Sequence, residues 1–299
     1  MSIEKLAPIA LFTYNRLDHS RKTIEALKAN ELAKETVLYI FSDGAKTEKD
    51  QTVVEELRTY FKTIKGFKKV EVIERKQNYG LAKSIIEGVT VTVNKHGKLI
   101  VLEDDVVCSP SFLTYMNEAL SFYENKRKVW HISAWSPGIN NKKLPDYFFW
   151  RTMNCSGGWG TWSDRWKHFD SDINQTIQSF TAIDKFKFSY AGIANFWRQL
   201  TANKKGNINT WAIFWYATIF KNEGLCLTPK ISFTKNIGFD GSGVHTSQKH
   251  AYKNERILSK SKQFNFKSLA IKECSLAIQK AYQFYFMEDL NKVVRLLKK

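Results

Sequence analysis

The sequence predicts an α/β fold in which a mostly parallel sheet carries helices on both faces. Short apolar runs rich in β-branched residues alternate four times with segments of helical spacing over residues 1–125. This alternation is typical of strands joined by crossover helices. Polar residues follow each of the four runs, as expected where a ligand binds beyond the carboxyl ends of parallel strands.

The first two units each pair a predicted strand with a predicted helix. The apolar run Ile9–Thr13 is the first strand, and Asp18 is the expected N-cap of the helix behind it. The second strand is predicted at 37–41, and residues 47–50 have the pattern of a capping box. The buried face of the helix that follows is marked by Val54, Leu57, Phe61 and Ile64.

The third unit has a predicted strand at 70–73 and a helix that begins after 78–80. The fourth unit contains the residues that most strongly indicate a ligand site. The fourth strand, 99–102, ends in three consecutive carboxylates, Glu103, Asp104 and Asp105. Three acids at a strand end repel one another and are costly to bring near a core. A divalent cation would compensate this charge, and Mg²⁺ and Mn²⁺ prefer oxygen ligands. For this triplet alone, an exposed acidic turn is the alternative.

Several segments of this half carry a family resemblance. They are ALFTYNR at 10–16, SDG at 42–44, NYGLA at 78–82, and LEDD at 102–105 followed by SPSF at 109–112. Together they resemble the nucleotide-sugar half of GT-A glycosyltransferases, and in particular N-acetylglucosaminyltransferase I and its bacterial relatives. The resemblance implies a GT-A fold, a UDP-sugar donor and Mn²⁺ or Mg²⁺ as the cofactor.

The resemblance also implies roles for individual residues at the strand ends. Asp105 would be a catalytic residue as the direct metal ligand, and Asp104 would lie near the ribose or the metal. Asn15 and Arg16 would border the uridine, and Asp43 would accept a hydrogen bond from the base or the ribose. The remaining residues expected at the nucleotide-sugar site are Thr13, Asn78, Gly80, Lys83 and Glu103.

The second half of the predicted domain is less regular. A fifth strand is predicted at 129–133, a polar helical insertion at 170–209 and a buried helix at 211–220. Glycines stand beside tryptophans in 154–166, where the backbone can approach a ligand and flat rings can pack on a sugar. A tight turn with tryptophans in the core is the alternative. The segment resembles the glycine-aromatic stretch that follows the metal motif in these transferases, which favours sugar or acceptor contacts for Gly158, Trp159 and Trp162.

The expected place of the catalytic base departs from the family pattern. In the eukaryotic enzyme the segment that corresponds to 211–220 carries acidic residues, one of them the base, whereas here it is apolar. The stereochemical outcome therefore stays open. The glycine-rich segment 236–245 resembles the mobile loop that closes over the donor. Asp240 is the candidate base, and His245 is a candidate contact of the diphosphate or metal, with a surface histidine of neither role as the alternative.

The predicted organisation is a GT-A domain at 1–250, with a nucleotide-binding half at 1–125 and an acceptor and donor-sugar half at 126–250, followed by a basic helical tail at 251–299. A net charge of +17 implies a polyanionic partner such as nucleic acid, anionic lipid or a phosphorylated substrate. An amphipathic helix within 270–297 could bind an anionic membrane or pack back on the domain.

Cysteine usage and hydropathy suggest a compartment. The 4 cysteines are far apart and form no C-x-x-C pair, which argues against a zinc site and fits a reducing environment. The first residues contain no long apolar region, and the longest apolar stretch is too short to span a bilayer. We expect a cytoplasmic protein that can contact the inner face of the membrane.

The predicted function is metal-dependent hexosyl or N-acetylhexosaminyl transfer from a UDP-sugar to a hydroxyl of a glycan or lipid-linked acceptor, in bacterial surface polysaccharide synthesis. Nucleic acid is not expected as a partner, because the clustered carboxylates oppose a basic surface at the sheet edge. Two alternatives stay open. One is a nucleotidyltransferase, which usually has a glycine-rich basic loop after the first strand, and the other is a non-catalytic polyanion-binding protein.

Overall fold

The computed structural model describes residues 5–139, 142–155, 157–238, 240 and 264–297. The strands are β1 (Ile9–Thr13), β2 (Val37–Ser42), β3 (Lys69–Glu74), β4 (Lys98–Glu103), β5 (Val106–Cys108), β6 (Val129–Ser133), β7 (Tyr147–Trp150), β8 (Trp159–Trp162), β9 (Leu225–Pro229) and β10 (Thr234–Asn236). The helices are α1 (Leu17–Lys28), α2 (Glu48–Lys62), α3 (Gly80–His96), α4 (Phe112–Tyr123), α5 (Ser163–Trp166), α6 (Ile173–Ser179), α7 (Ala182–Phe188), α8 (Phe196–Lys204), α9 (Ala212–Lys221) and α10 (Ser275–Leu297).

Within the described residues, eight strands form one mixed sheet in the order β3-β2-β1-β4-β8-β6-β9-β7. Strands β1 to β4 pair in parallel, as the sequence predicts. Strand β8 is antiparallel to both β4 and β6, and β9 is parallel to β6. Strands β6 and β9 therefore run in the same direction as β4, so their carboxyl ends share one edge with those of β1, β2 and β3. Directly after the acidic triplet, β5 pairs antiparallel with β10.

Successive side chains of the strands enter two separate apolar layers. In β1, Ile9 and Leu11 belong to the layer that includes α1, α2 and α4, whereas Ala10 and Phe12 belong to the layer that includes α3 and α9. Because both faces are covered, the parallel strands read as continuous apolar runs instead of alternating ones. The mostly parallel sheet with helices on both faces confirms the predicted fold class.

Helix α1 begins elsewhere than the sequence predicts, and a contact with the segment before β10 determines where α4 begins. Helix α1 starts one residue before Asp18, with Arg16 in the N-cap position and without a side-chain cap. The Arg16 side chain is directed instead to the acidic triplet. Helix α4 starts after Pro110, because the backbone N–H of Ser109 still donates to the carbonyl of Phe233 at 2.8 Å and keeps the chain beside β10.

The glycine-tryptophan segment forms strand β8 in the interior of the sheet and not a ligand-binding loop. Trp159 and Trp162 are each 1% exposed. The Trp159 ring stacks on those of His131 and Trp211, and Trp162 Nε1 donates to the carbonyl of Leu120 at 3.0 Å. Rings buried in this way present no face to a sugar. The prediction that both tryptophans contact sugar or acceptor is therefore wrong, because pairing between β4 and β6 buries them.

Helix α10 confirms the predicted helical tail, and its first half packs on the domain. Ala277 and Ala281 are buried, and the Tyr282 ring lies 5.0 Å from that of Tyr190. The backbone N–H of Cys274 donates to the carbonyl of β7 residue Phe149 at 2.8 Å. No helix among the described residues combines the length and hydropathy that a membrane crossing requires.

His131 is a buried histidine held neutral by its surroundings. Trp215 Nε1 donates to His131 Nδ1 at 3.4 Å, so the other nitrogen, Nε2, carries the proton and donates to the Asn154 carbonyl at 3.1 Å. Burial lowers the pKa of His131 to about 3, although the bond to Asn154 opposes that shift. The imidazole therefore stays uncharged in the folded protein across the neutral range.

Replacing His131 with glutamine should make stability less sensitive to acid. The unfolded chain protonates this histidine below about pH 6.5, whereas the folded protein does not until near pH 3, so stability declines as pH falls through that window. Between about pH 7.5 and pH 5, the wild type should lose about 2 kcal/mol more than His131→Gln. Urea denaturation at several pH values measures this difference, and parallel stability profiles would contradict it.

Candidate functional site

The carboxyl ends of β1 and β4 bring a guanidinium and the acidic triplet together. Arg16 Nη1 lies 2.8 Å from Asp105 Oδ2 and 3.7 Å from Asp104 Oδ1. The backbone N–H of Tyr14 donates to Asp104 Oδ2 at 3.4 Å. The side chains of Arg16, Asp104 and Asp105 are mostly buried, so one cation serves two carboxylates at a protected edge of the sheet.

The surroundings of the triplet disfavour its ionised form. Burial raises the pKa of Asp104 to about 7, and the charge of Asp105 adds to that shift while Arg16 opposes it. Burial also raises the pKa of Glu103, followed by the charges of Asp105 and Asp104. Additional positive charge at this edge would therefore favour the ionised triplet.

The donor atoms at this edge fit Mn²⁺ or Mg²⁺. Asp104 and Asp105 offer carboxylate oxygens, which hard cations prefer. In the part of the chain that the structure describes, no three or more His, Cys, Asp or Glu side chains converge as a complete metal site. A cation shared with a substrate needs only one or two carboxylates, because phosphate oxygens and waters fill its other positions.

The segment after β10 lies against the triplet. Asn236 Nδ2 donates to Asp105 Oδ1 at 3.2 Å. Gly238 follows so closely that an added Cβ would collide with the Asp105 carboxylate. Farther along, Asp240 Oδ2 lies 3.1 Å from Nε2 of His19 on α1, and about half of the Asp240 side chain is exposed. The segment therefore crosses Asp105 and brings the candidate base within reach of the same edge.

Two residues at this edge were missed in the sequence. His19 is one helical turn after Arg16, so the three-residue spacing could have placed both on one face of α1. Asn236 opens the glycine-rich segment, and no local signal marks it as a partner of Asp105. His245 lies outside the described residues, so its contact with diphosphate or metal stays a prediction.

Asp43 joins the end of β2 to the start of α3. Its Oδ1 accepts from the backbone N–H of Gly44 at 3.0 Å and of Tyr79 at 2.8 Å, and its Oδ2 accepts from Gly80 N–H at 3.0 Å. Gly80 has a φ of 71°, which side-chain-bearing residues rarely adopt, and Asn78 Nδ2 donates to the Gly44 carbonyl at 2.8 Å. Most of the acceptor capacity of Asp43 thus serves the backbone of this edge.

Replacing Asp43 with alanine should lower the free energy of unfolding by about 2–4 kcal/mol, because buried backbone donors lose a charged acceptor. Asp43→Asn keeps one acceptor oxygen and should lose about half as much. Urea denaturation measures both losses. Asp18→Ala, at an exposed position on α1, is the matched control. A loss below about 0.5 kcal/mol for Asp43→Ala would contradict the structural role of this carboxylate.

The other residues predicted for the nucleotide-sugar site have different surroundings. Asn15 Nδ2 donates to Asp50 Oδ1 at 2.8 Å, which directs this amide to the first turn of α2. The ammonium of Lys83 lies 4.1 Å from the centre of the Tyr79 ring. Thr13 is buried at the end of β1. These residues border the same sheet edge, and their contacts with a nucleotide stay predictions.

Gly158 belongs to the packing beneath the site. It has a φ of 81°, and a Cβ added there would lie 3.3 Å from the Phe112 ring and 3.6 Å from Leu102 Cγ. Its carbonyl accepts from the backbone N–H of Ala134 at 3.0 Å. The glycine therefore allows the chain to enter β8 close to α4, and its contact with a sugar stays a prediction.

Comparison with protein families decides the classification. The model of the family described as glycosyl transferase family 2 matches residues 9–161, which include β1 to β4, the acidic triplet and β8. The chain belongs to glycosyl transferase family 2. This confirms the resemblance to glycosyltransferases at the level of the family and the GT-A type of fold, while the likeness to N-acetylglucosaminyltransferase I is not confirmed. No curated protein sequence matches the chain.

Several solved structures are similar to this family 2 chain. TarS from S. aureus is 15% identical with a TM-score of 0.32, over 47% of this chain and 23% of that one. The S. aureus TarS 1–349 structure is 12% identical with a TM-score of 0.30, over 46% and 38%. The mannosyltransferase PcManGT from Pyrobaculum calidifontis, in complex with GDP-Man and Mn²⁺, is 6% identical with a TM-score of 0.40, over 74% and 70%. The chain thus spans well under two thirds of either TarS chain.

Proposed function

We propose that the chain transfers a sugar from a UDP-sugar to a hydroxyl of a glycan or lipid-linked acceptor, with Mn²⁺ or Mg²⁺ as cofactor. Membership of glycosyl transferase family 2 supports sugar transfer and disfavours the nucleotidyltransferase alternative. The observation that carries the proposal is the buried acidic triplet beside Arg16, at the edge where parallel strands end. The transferred group is proposed to be a hexosyl or N-acetylhexosaminyl group, in the synthesis of bacterial surface polysaccharide.

The nucleotide half of the proposed domain, 1–125, supplies the residues that bind the donor. Asp104 and Asp105 would hold the cation, which when bound stabilises the negative charge that grows on the diphosphate leaving group. Arg16 lies beside both carboxylates, and its planar guanidinium can bind a phosphate oxygen at the same edge. The turn that Asp43 organises at the start of α3 would border the uridine.

The half at 126–250 would complete the site with the base. Asp240 is the proposed base, because its carboxylate is partly exposed and follows a segment that contacts Asp105. It would take the proton from the acceptor hydroxyl as that oxygen attacks the anomeric carbon of the sugar. His19, 3.1 Å away, would orient this carboxylate. The same segment would exclude water, whose attack would only hydrolyse the donor.

Release of nucleoside diphosphate tests the proposed donor class. The purified protein is incubated with Mn²⁺ and, in turn, UDP-glucose, UDP-galactose, UDP-N-acetylglucosamine and GDP-mannose, and slow donor hydrolysis is followed without acceptor. Release of UDP that stops in the Asp105→Asn variant supports the proposal. Release of GDP alone would overturn the UDP assignment. Pyrophosphate formed from a nucleoside triphosphate and a sugar 1-phosphate would favour the nucleotidyltransferase alternative.

A further inference from the structure

Exposed apolar side chains concentrate on two helices, α7 and α10, that supply none of the candidate site residues. Among the described residues, five of the eight large hydrophobic side chains that are exposed belong to α7 and α10, and each of the five is at least 44% exposed. We call this set the apolar-basic surface, and its apolar members are Ile183 and Phe186 on α7 and Phe286, Met287 and Leu290 on α10. Clustering of such residues marks a surface for interaction.

The apolar face of α10 continues beyond the protein that covers its first half. Ile278 and Tyr282 are partly buried and pack against the core. Phe286 and Leu290 follow at the same four-residue spacing, which keeps them in the same row along the helix, yet both are exposed. In the second half of α10, this apolar row is therefore not covered by the described part of the domain.

Helix α7 carries its own exposed apolar pair close to α10. Ile183 and Phe186 are three residues apart and so share one face of the helix. Tyr190, two residues after the end of α7, has ring contacts with Tyr282 at 5.0 Å and with Tyr285 at 5.2 Å. The two exposed sets thus belong to elements that meet at Tyr190.

The excess of basic residues on and near these helices favours an anionic partner. Residues 182–205 contain five basic side chains and one acidic side chain, Asp184, which is paired with Lys221 at 3.0 Å. Residues 264–299 contain seven basic and three acidic side chains. A second copy would bring the same positive charge and be repelled, in a chain of net charge +17. An anionic lipid surface offers both phosphates for the lysines and an apolar interior for the rings.

We propose that the apolar-basic surface docks α7 and α10 on an anionic lipid bilayer. The apolar side chains enter the boundary between head groups and acyl chains, and the surrounding lysines face the phosphates. Docking deepens the proposed function, since an acceptor carried on a lipid would then lie at the surface to which the enzyme is bound. The inference about docking itself stands on exposure and charge and does not require that sugar transfer occurs.

Vesicle co-sedimentation of the full chain tests this docking. The vesicles contain phosphatidylcholine alone or with about 30% phosphatidylglycerol. The variants are Ile183→Ser/Phe186→Ser and Phe286→Ser/Leu290→Ser, and the matched control is Val91→Ser, a 65% exposed side chain on α3. We expect binding to the anionic vesicles, a loss of about 10-fold or more in the partition coefficient for each double variant, and no change for the control.

Two results would overturn the proposal: a wild type that does not bind anionic vesicles, or double variants that bind as the wild type does. A concentration-dependent dimer that the double variants abolish, without vesicle binding, would assign the surface to a second copy instead. Thermal unfolding verifies that the variants fold. Hydrolysis of a soluble UDP-sugar by the same variants separates the two proposals, because it reports on the donor site and should stay unchanged.

Discussion

Replacing Asp105 with asparagine should abolish Mn²⁺-dependent binding of UDP and lower sugar transfer by about 10²–10³-fold. The substitution removes a charge from the proposed metal ligand but keeps its size and the oxygen that accepts from Arg16 at 2.8 Å. Without metal, stability should stay within about 1 kcal/mol of the wild type. The charge of Asp105 contributes to the raised pKa of Glu103 and Asp104, so its removal also relieves repulsion between these carboxylates. Calorimetry and initial rates measure the two effects.

The matched control for this prediction is Asp18→Asn, which removes the same charge from an exposed position two residues after Arg16. Its UDP affinity and its transfer rate should equal those of the wild type. Asp105→Asn protein that binds UDP with Mn²⁺ as tightly as the wild type does would contradict the assignment of Asp105. A general loss of folded protein in the Asp105 variant would be detected by its unfolding curve.

Replacing Asp240 with asparagine should lower kcat by about 10²–10⁴-fold while the affinity for UDP and Mn²⁺ changes by less than about twofold. An amide cannot take the proton of the acceptor hydroxyl, whereas the acidic triplet that binds the donor is left intact. Steady-state kinetics with donor and acceptor, together with UDP titration, separates the chemical step from donor binding.

His19→Gln is the informative companion of that variant. It removes the imidazole that lies 3.1 Å from Asp240 Oδ2 but leaves the carboxylate in place, so kcat should fall by about 10-fold and no further. If both variants raise KM equally and leave kcat unchanged, the pair only anchors the segment after β10. That outcome would contradict the role of Asp240 as the base.

The first half of the fold and the position of its site could be predicted from sequence, because its buried strands appear in the sequence as continuous apolar runs. Strand β1 has the bounds predicted from its apolar run, Ile9–Thr13, because helices on both faces exclude polar residues from it. Polar residues follow the apolar run of each strand, up to Arg16 after β1 and Asp105 after β4, and so mark where the runs end. Parallel pairing of these neighbours then places the two side chains together.

The second half could not be predicted because long-range pairing determines it. The sequence WGTW of β8 has no local feature that distinguishes a loop from a strand inserted between β4 and β6. That insertion turns Trp159 and Trp162 from expected sugar contacts into core residues. The pairing of β10 with β5, which brings Asn236 to Asp105, likewise joins segments far apart in sequence.

Side-chain partners at the site were also beyond local reasoning. Asp43 and Asn15 have the residue types expected to bind a nucleotide, and both follow predicted strands. The structure shows Asp43 holding backbone N–H groups at the start of α3 and Asn15 bonded to Asp50. The residue type alone does not show whether a carboxylate or amide forms hydrogen bonds with a ligand or with the protein itself. The arrangement of the turns determines which groups lie within reach.

Calorimetric titration with UDP, with and without Mn²⁺, tests the central claim most directly, with GDP and ATP as controls. The account predicts binding of UDP that requires the metal and exceeds the binding of GDP and ATP, because a cation would separate the carboxylates of Asp104 and Asp105 from the negatively charged diphosphate and attract both. Absence of nucleotide binding under every condition would contradict it, and Glu103, Asp104 and Asp105 would then be a structural feature of the strand end.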